Sequence, residues 1–97
     1  INSGGVKVQA EEVEAALMRC PAVRQAAVVG VKDALWGERI EAFVVRAEEG
    51  ADARRILSFC RDEGLLAPAK LPKAVHLVDA LPTGPTGKLY RRALRRR

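Results

Sequence analysis

Two runs, Gln25–Val31 and Glu38–Arg46, limit what this chain can fold into more than any other feature. The first, Gln-Ala-Ala-Val-Val-Gly-Val, is small and β-branched, the composition of a strand covered on both faces. The second alternates Glu38, Ile40, Ala42 and Val44 against Arg39, Glu41, Phe43 and Val45, a period of two that reads as strand. Lys32–Gly37 is the turn between them, with Trp36 near its end, so the two runs pair antiparallel. A strand buried on both sides requires other elements packed against it.

The flanking segments supply those elements. Ala10–Cys20 reads as a helix with Val13, Ala16, Leu17 and Cys20 in one apolar stripe. Glu11, Glu12 and Glu14 crowd its first turns, Arg19 its last, and Pro21 stops it. A second helix runs from an Asp52 N-cap to about Glu63. Its stripe is Ala53, Ile56, Leu57 and Cys60, widened by Phe59, and Gly64 terminates it. Ahead of the first helix, Ile1–Gly5 is small and flexible and Val6-Lys7-Val8 is a short strand. Gly4 and Gly5 let a backbone come close to something else, or simply make a turn. Leu65–Lys73 is a proline-bounded loop, Ala74–Val78 a third long strand, and Leu89–Arg97 a final helix docked by Tyr90, Ala93 and Leu94. The expected fold is a small α+β domain of order β-α-β-β-α-β-α. Its central sheet is mainly antiparallel and three-stranded, with helices packed on it. Neither an internal repeat nor a low-complexity linker marks a second domain, so residues 1–97 are expected to form one.

Composition adds boundaries. At 97 residues the chain can bury a modest core. No apolar run approaches the ~20 residues of a membrane span, and Ile1-Asn2-Ser3-Gly4-Gly5 does not open a signal peptide. The chain has no initiator Met, so an excised piece of a longer protein is expected. Cys20 and Cys60 lie at apolar positions of helical patterns, as buried thiols do in a reducing, cytoplasmic setting. The net charge of +5 is uneven: Lys88, Arg91, Arg92, Arg95, Arg96 and Arg97 account for six of the seventeen basic residues. Eleven basic side chains face twelve acidic ones in the remainder. A neutral domain with a basic end suits a phosphate-bearing partner, although Arg95–Arg97 fit a solvated, fraying tail equally well.

Among candidate functional residues, Lys88 stands out. Pro82, Gly84, Pro85 and Gly87 exclude helix and central strand, and leave an exposed loop of fixed shape. A lysine ending such a loop is held out, where it delivers one point charge to an anion. The same string also suits an ordinary solvated lysine. It is not a phosphate-cradling P-loop, since two residues separate Gly84 from Gly87 and Leu89 follows Lys88. Glu11, Glu12 and Glu14 lack the histidine or paired aspartate that metal or acid–base work needs, and read as a solvated helix face, so no metal site is expected. His76 reads as structural and Trp36 as a core lid or loop anchor.

The string Leu-Pro-x-x-x-Thr-Gly-Lys-x-x-Arg-Arg-x-Leu over Leu81–Leu94 resembles the C-terminal signature of the adenylate-forming superfamily. That superfamily comprises acyl-CoA synthetases, adenylation domains of peptide synthetases, and luciferases. It often has Arg before the Thr of this loop, where this chain has Thr83-Gly84; Gly87, Lys88, Arg91 and Leu94 all match. Ser3-Gly4-Gly5-Val6-Lys7-Val8 with Glu12-Val13-Glu14 resembles a second family string. Pro21-x-Val23 with Ala26-Ala27-Val28-Val29-Gly30, Asp33-x-x-x-Gly37-Glu38, Ala42-Phe43-Val44-Val45 and Lys70-Leu71-Pro72 follow in the family's order. The Lys70 and Lys88 strings are more similar to acyl-CoA ligases than to peptide-synthetase domains.

The resemblance implies the small C-terminal lid of a two-step ligase. A carboxylate attacks the α-phosphate of ATP, with Mg2+, to give acyl-adenylate and pyrophosphate; the thiol of coenzyme A then displaces AMP. By resemblance, Lys88 reaches the active site for the first step. The domain then rotates, bringing Gly4 and Gly5 beside the thiol tunnel, and Lys7 faces the substrates in one of the two poses. The partner is the protein's own N-terminal domain, carrying the nucleotide loop and acyl pocket. The hinge residue is expected before Ile1, and the fragment alone is expected to be inactive and to bind none of these ligands. Two alternatives stay open: an adenylation domain loading a carrier protein, and a non-enzymatic basic nucleic-acid-binding module. Against the latter, the four aromatics (Trp36, Phe43, Phe59, Tyr90) form no basic-aromatic stacking string.

Overall fold

The computed structural model describes residues 1–83 together with Ala93 and Leu94. Its elements are β1 (Asn2–Ser3), β2 (Val6–Lys7), α1 (Ala10–Met18), β3 (Val23–Asp33), β4 (Gly37–Arg46), α2 (Ala53–Asp62), a 3-10 turn (Pro68–Lys70) and β5 (Ala74–Leu77). The strand order is β2-β1-β4-β3, and β5 lies against β4 as well.

The long hairpin is the frame. β3 and β4 pair antiparallel from Asp33 opposite Gly37 to Val23 opposite Arg46, with one irregularity between Val23 and Gln25. Asp33 shapes the turn, its Oδ1 accepting from the N–H of Leu35 at 2.8 Å and of Trp36 at 2.9 Å. Those backbone donors hold the Asp33 carboxyl below the ordinary aspartate range, with a further contribution from the Arg39 guanidinium.

The period-two alternation sorts the hairpin's side chains onto two faces, and both are covered. Val28, Ile40, Ala42 and Val44 pack with Val13 and Leu17 of α1 and Ile56 and Cys60 of α2. Ala27, Val29 and Phe43 on the opposite face meet Leu94. Ala93 and Leu94 are helical, in keeping with a final helix docked here. The rest of Leu89–Arg97 and residues 84–88 lie outside the described residues.

Local signals govern the helices. Asp52 Oδ1 accepts from Arg55 N–H at 2.8 Å, a side-chain N-cap. Past the C-cap Glu63, Gly64 turns left-handed at φ +66°. α1 ends at Met18, two residues short of the sequence expectation. Its last turn tightens, with Arg19 N–H bonded to Ala16 and Cys20 N–H to Leu17. Cys20 is still buried, and so is Cys60, both as free thiols. Burial pushes the Cys60 thiol up, as does its neighbour Cys20.

The α+β class and the mainly antiparallel sheet hold, with more strands than the three expected. Asn2–Ser3 adds a strand, and β5 is parallel to β4, with Glu41 opposite Ala74 and Val44 opposite Leu77. That pairing follows from the connection: β4, α2 and β5 form a crossover unit, which returns the chain in the same direction.

Candidate active-site face

Asn2 pairs with Lys7 and Ser3 with Val6, which leaves Gly4 and Gly5 as a two-residue hairpin loop. Both are left-handed, at φ +59° and +84°, as a type I′ turn requires. Their surroundings differ. A Cβ on Gly4 would lie 2.9 Å from Cε3 of Trp36, whereas one on Gly5 would meet nothing within 4 Å. Gly4 N–H also donates to the Trp36 carbonyl at 2.8 Å. Gly4 therefore serves both purposes open to it, the turn and a close approach; Gly5 serves the turn.

Trp36 is 41% exposed, lying over the hairpin rather than sealing the core. The Lys73 ammonium sits 4.6 Å from its ring centroid, a cation–π contact. Lys73 is fixed by its own N–H, which donates to Ile40 O at 2.8 Å. Lys7 is exposed on β2, beside an open depression of about 320 Å³ bordered by Ile1, Asn2, Gln9 and Glu38. Across that depression Glu38 Oε1 accepts from Asn2 N–H at 3.0 Å. Gly4, Gly5 and Lys7 thus share one hairpin, with Trp36, Lys73 and Glu38 around it. The fourth expected site residue, Lys88, lies outside the described residues.

Glu11 and Glu12 are exposed, as a solvated face requires, but Glu12 and Glu14 also make contacts that the sequence did not suggest. The Glu12 carboxylate receives Lys70 Nζ at 3.1 and 3.0 Å, clamping the proline-bounded loop to α1. Glu14 Oε2 accepts from Val28 N–H at 2.9 Å, tying α1 to β3. Two of the family-like strings, Glu12-Val13-Glu14 and Lys70-Leu71-Pro72, are therefore joined in space.

His76 is structural, as its place in a strand suggested. It stacks on Phe43, centroids 4.7 Å apart, and its Nε2 lies 2.7 Å from Glu41 Oε1. Arg39 Nε donates to the other oxygen of Glu41, and Arg39 also pairs with Asp33 at 3.6 Å. Burial of Glu41 works to raise its pKa, but the hydrogen bonds from His76 and Arg39 outweigh it and leave the carboxyl below the ordinary glutamate range.

Sequence reasoning missed the Trp36–Lys73 pair and the role of Glu38. Lys73 reaches Trp36 through the parallel pairing of β4 with β5, which no local pattern encodes. Glu38 did carry a signal, since Gly37-Glu38 is part of a family-like string, but the string gave it no role.

A family model described as AMP-binding enzyme C-terminal domain matches residues 12–88. The chain belongs to that family. The matched span opens on Glu12, which clamps Lys70, and closes on Lys88. This AMP-binding C-terminal domain is 42% identical over 95 residues to 2,3-dihydroxybenzoate-AMP ligase of Bacillus subtilis, a match covering 98% of the domain and 17% of that ligase. It is 38% identical over 95 residues to a long-chain-fatty-acid–CoA ligase of Mycobacterium tuberculosis, covering 98% of the domain and 18% of that ligase. In three dimensions it superposes on a Mycobacterium tuberculosis fatty acyl CoA synthetase with a TM-score of 0.89 at 38% identity, covering 99% of the domain and 19% of that chain. The domain thus spans less than a fifth of the length of the relatives it matches. Among the described residues no helix is long and apolar enough to cross a membrane.

Proposed function

We propose that this domain is the C-terminal lid of a cytoplasmic, ATP-dependent acyl-CoA ligase whose large N-terminal domain precedes Ile1. The observation that carries the reading is the Gly4–Gly5 turn beside Lys7, on a domain of this family. Its tip is bare: the space around Gly5 is open, with nothing within 4 Å of where a Cβ would stand. A slender pantetheine arm can pass such a surface. Lys88 serves the first half-reaction: two anions must meet, and negative charge develops at the α-phosphate and on the departing pyrophosphate. A preorganised cation there lowers the barrier by several kcal/mol, roughly a hundred- to thousandfold in rate. Mg2+ enters with ATP as the nucleotide's own counter-ion, and no residue of this domain is assigned to it. In the second half-reaction the thiolate attacks the acyl carbon, the acyl–phosphate bond breaks, and AMP leaves; the Gly4–Gly5 turn and Lys7 face that step.

A relative at 42% identity is named an AMP ligase and not a CoA ligase, which keeps a second acceptor open within the family, the thiol of a carrier protein. Supplying coenzyme A and a phosphopantetheine-bearing carrier in parallel separates the two. The experiment for the main reading is acid-dependent pyrophosphate release by the full-length protein, wild type against Lys88→Ala. Release should fall a hundredfold or more in the variant, as for loss of a single preorganised charge. Thioester formation from preformed acyl-adenylate should persist. Equal loss in both half-reactions would remove Lys88 from its assigned step.

A further inference from the structure

We propose that Glu38 is a positioning residue for the thiol half-reaction: it fastens the β1–β2 hairpin, and with it Gly4, Gly5 and Lys7, to the body of the sheet. This rests on the ligase reading above. The hairpin is weakly held by its backbone. Its ladder with β4 is the single pair Ser3 opposite Gly37, supplemented by Gly4 N–H on the Trp36 carbonyl. The Asn2 N–H goes instead to Glu38 Oε1 at 3.0 Å. A carboxylate acceptor makes this a charge-assisted bond, stronger than a neutral rung.

A second position points to the same carboxylate. Gly30 is buried in β3, where glycine weakens a strand. It is not among the left-handed glycines, so conformational freedom does not account for it. Space does: a Cβ there would lie 2.6 Å from Glu38 Oε2, 3.1 Å from Glu38 Cδ and 3.0 Å from Ile1 Cγ2. A methyl group at residue 30 would push both the carboxylate and Ile1 away from the sheet. Gly30 and Glu38 therefore act as a unit: one clears the site and the other occupies it to grip Asn2.

The test uses the full-length protein with Glu38→Ala, Glu38→Gln and Gly30→Ala. Amide hydrogen exchange in the Asn2–Lys7 segment should quicken roughly ten- to hundredfold in Glu38→Ala, the factor implied by losing one hydrogen bond to a charged group. Gly30→Ala should behave the same way, and Glu38→Gln should fall between wild type and Glu38→Ala, because its amide oxygen accepts the same N–H without the charge. Thioester formation from preformed acyl-adenylate should fall in parallel with exchange, while acid-dependent pyrophosphate release stays within about twofold. Unchanged exchange in Glu38→Ala, Glu38→Gln behaving like Glu38→Ala, or both half-reactions falling together would overturn the proposal. Wild-type protein releasing no pyrophosphate with any acid would overturn the ligase reading and the catalytic half of this proposal. Exchange alone would still decide the fastening.

Discussion

Gly4 and Gly5 share a turn but not a surrounding, and single substitutions should separate them. Alanine at either position must adopt a left-handed conformation, at a cost of about 1–2 kcal/mol. At Gly5 that is the whole cost, since the space is open. At Gly4 the new methyl also meets the Trp36 ring, so Gly4→Ala should be the more destabilising in urea denaturation. In the full-length protein Gly5→Ala should instead be the more damaging to the thiol step, because its methyl stands on the bare tip that the pantetheine arm is proposed to pass. Glu41 gives a pH dependence at the same scale. Its pKa is lowered in the folded state, so it contributes stability above its unfolded value, and that stability is lost as the pH falls through the folded one. Wild-type urea midpoints should begin to drop below about pH 4.3. Glu41→Gln should be less stable at neutral pH and show a flatter acid limb; parallel limbs would show that Glu41 is not the group responsible.

Among the elements, α2 is bounded by side chains that act locally. Replacing Asp52 by alanine should cost about 1 kcal/mol and by asparagine almost nothing, read from thermal or urea unfolding. The same locality made α2 legible in advance: the Asp52 cap, the Ile56–Cys60 stripe and Gly64 all lie within the segment they define. The β3–β4 hairpin was legible for a similar reason, because composition and period two agree over its whole length. β1 was not, since two residues are too few to show a period. Nor was the parallel seat of β5, which depends on where the α2 crossover returns the chain. Glu12 and Glu14 looked solvated because Lys70 and the Val28 N–H, their partners, are distant in sequence. For the site, motif strings singled out Gly4, Gly5 and Lys7, but the ring and carboxylate around them come from the β3–β4 turn and the start of β4, and the ammonium from the loop before β5.

At the scale of the whole molecule, the domain is a sheet with two separately packed faces, one under α1 and α2 and one under Leu94. Leu94 is 2% exposed among Ala27, Val29 and Phe43. Leu94→Ala should cost about 2–5 kcal/mol. On the proposed ligase reading, in the full-length protein it should impair adenylation more than the thiol step, because Leu94 lies close after Lys88 in sequence and packs on the sheet face away from α1 and α2. A loss confined to the thiol step would contradict that division of labour between the faces. One bond described above also has a colloidal consequence. Among the described strands β3 has a neighbour on one side only, and midway along its outer side Glu14 occupies the Val28 N–H. A carboxylate there both takes up a donor that a second molecule's strand would seek and sets a negative charge in its path. Glu14→Ala frees that donor, so light scattering should rise sooner in concentrated solutions of the variant than of the wild type, before any reaction rate alters.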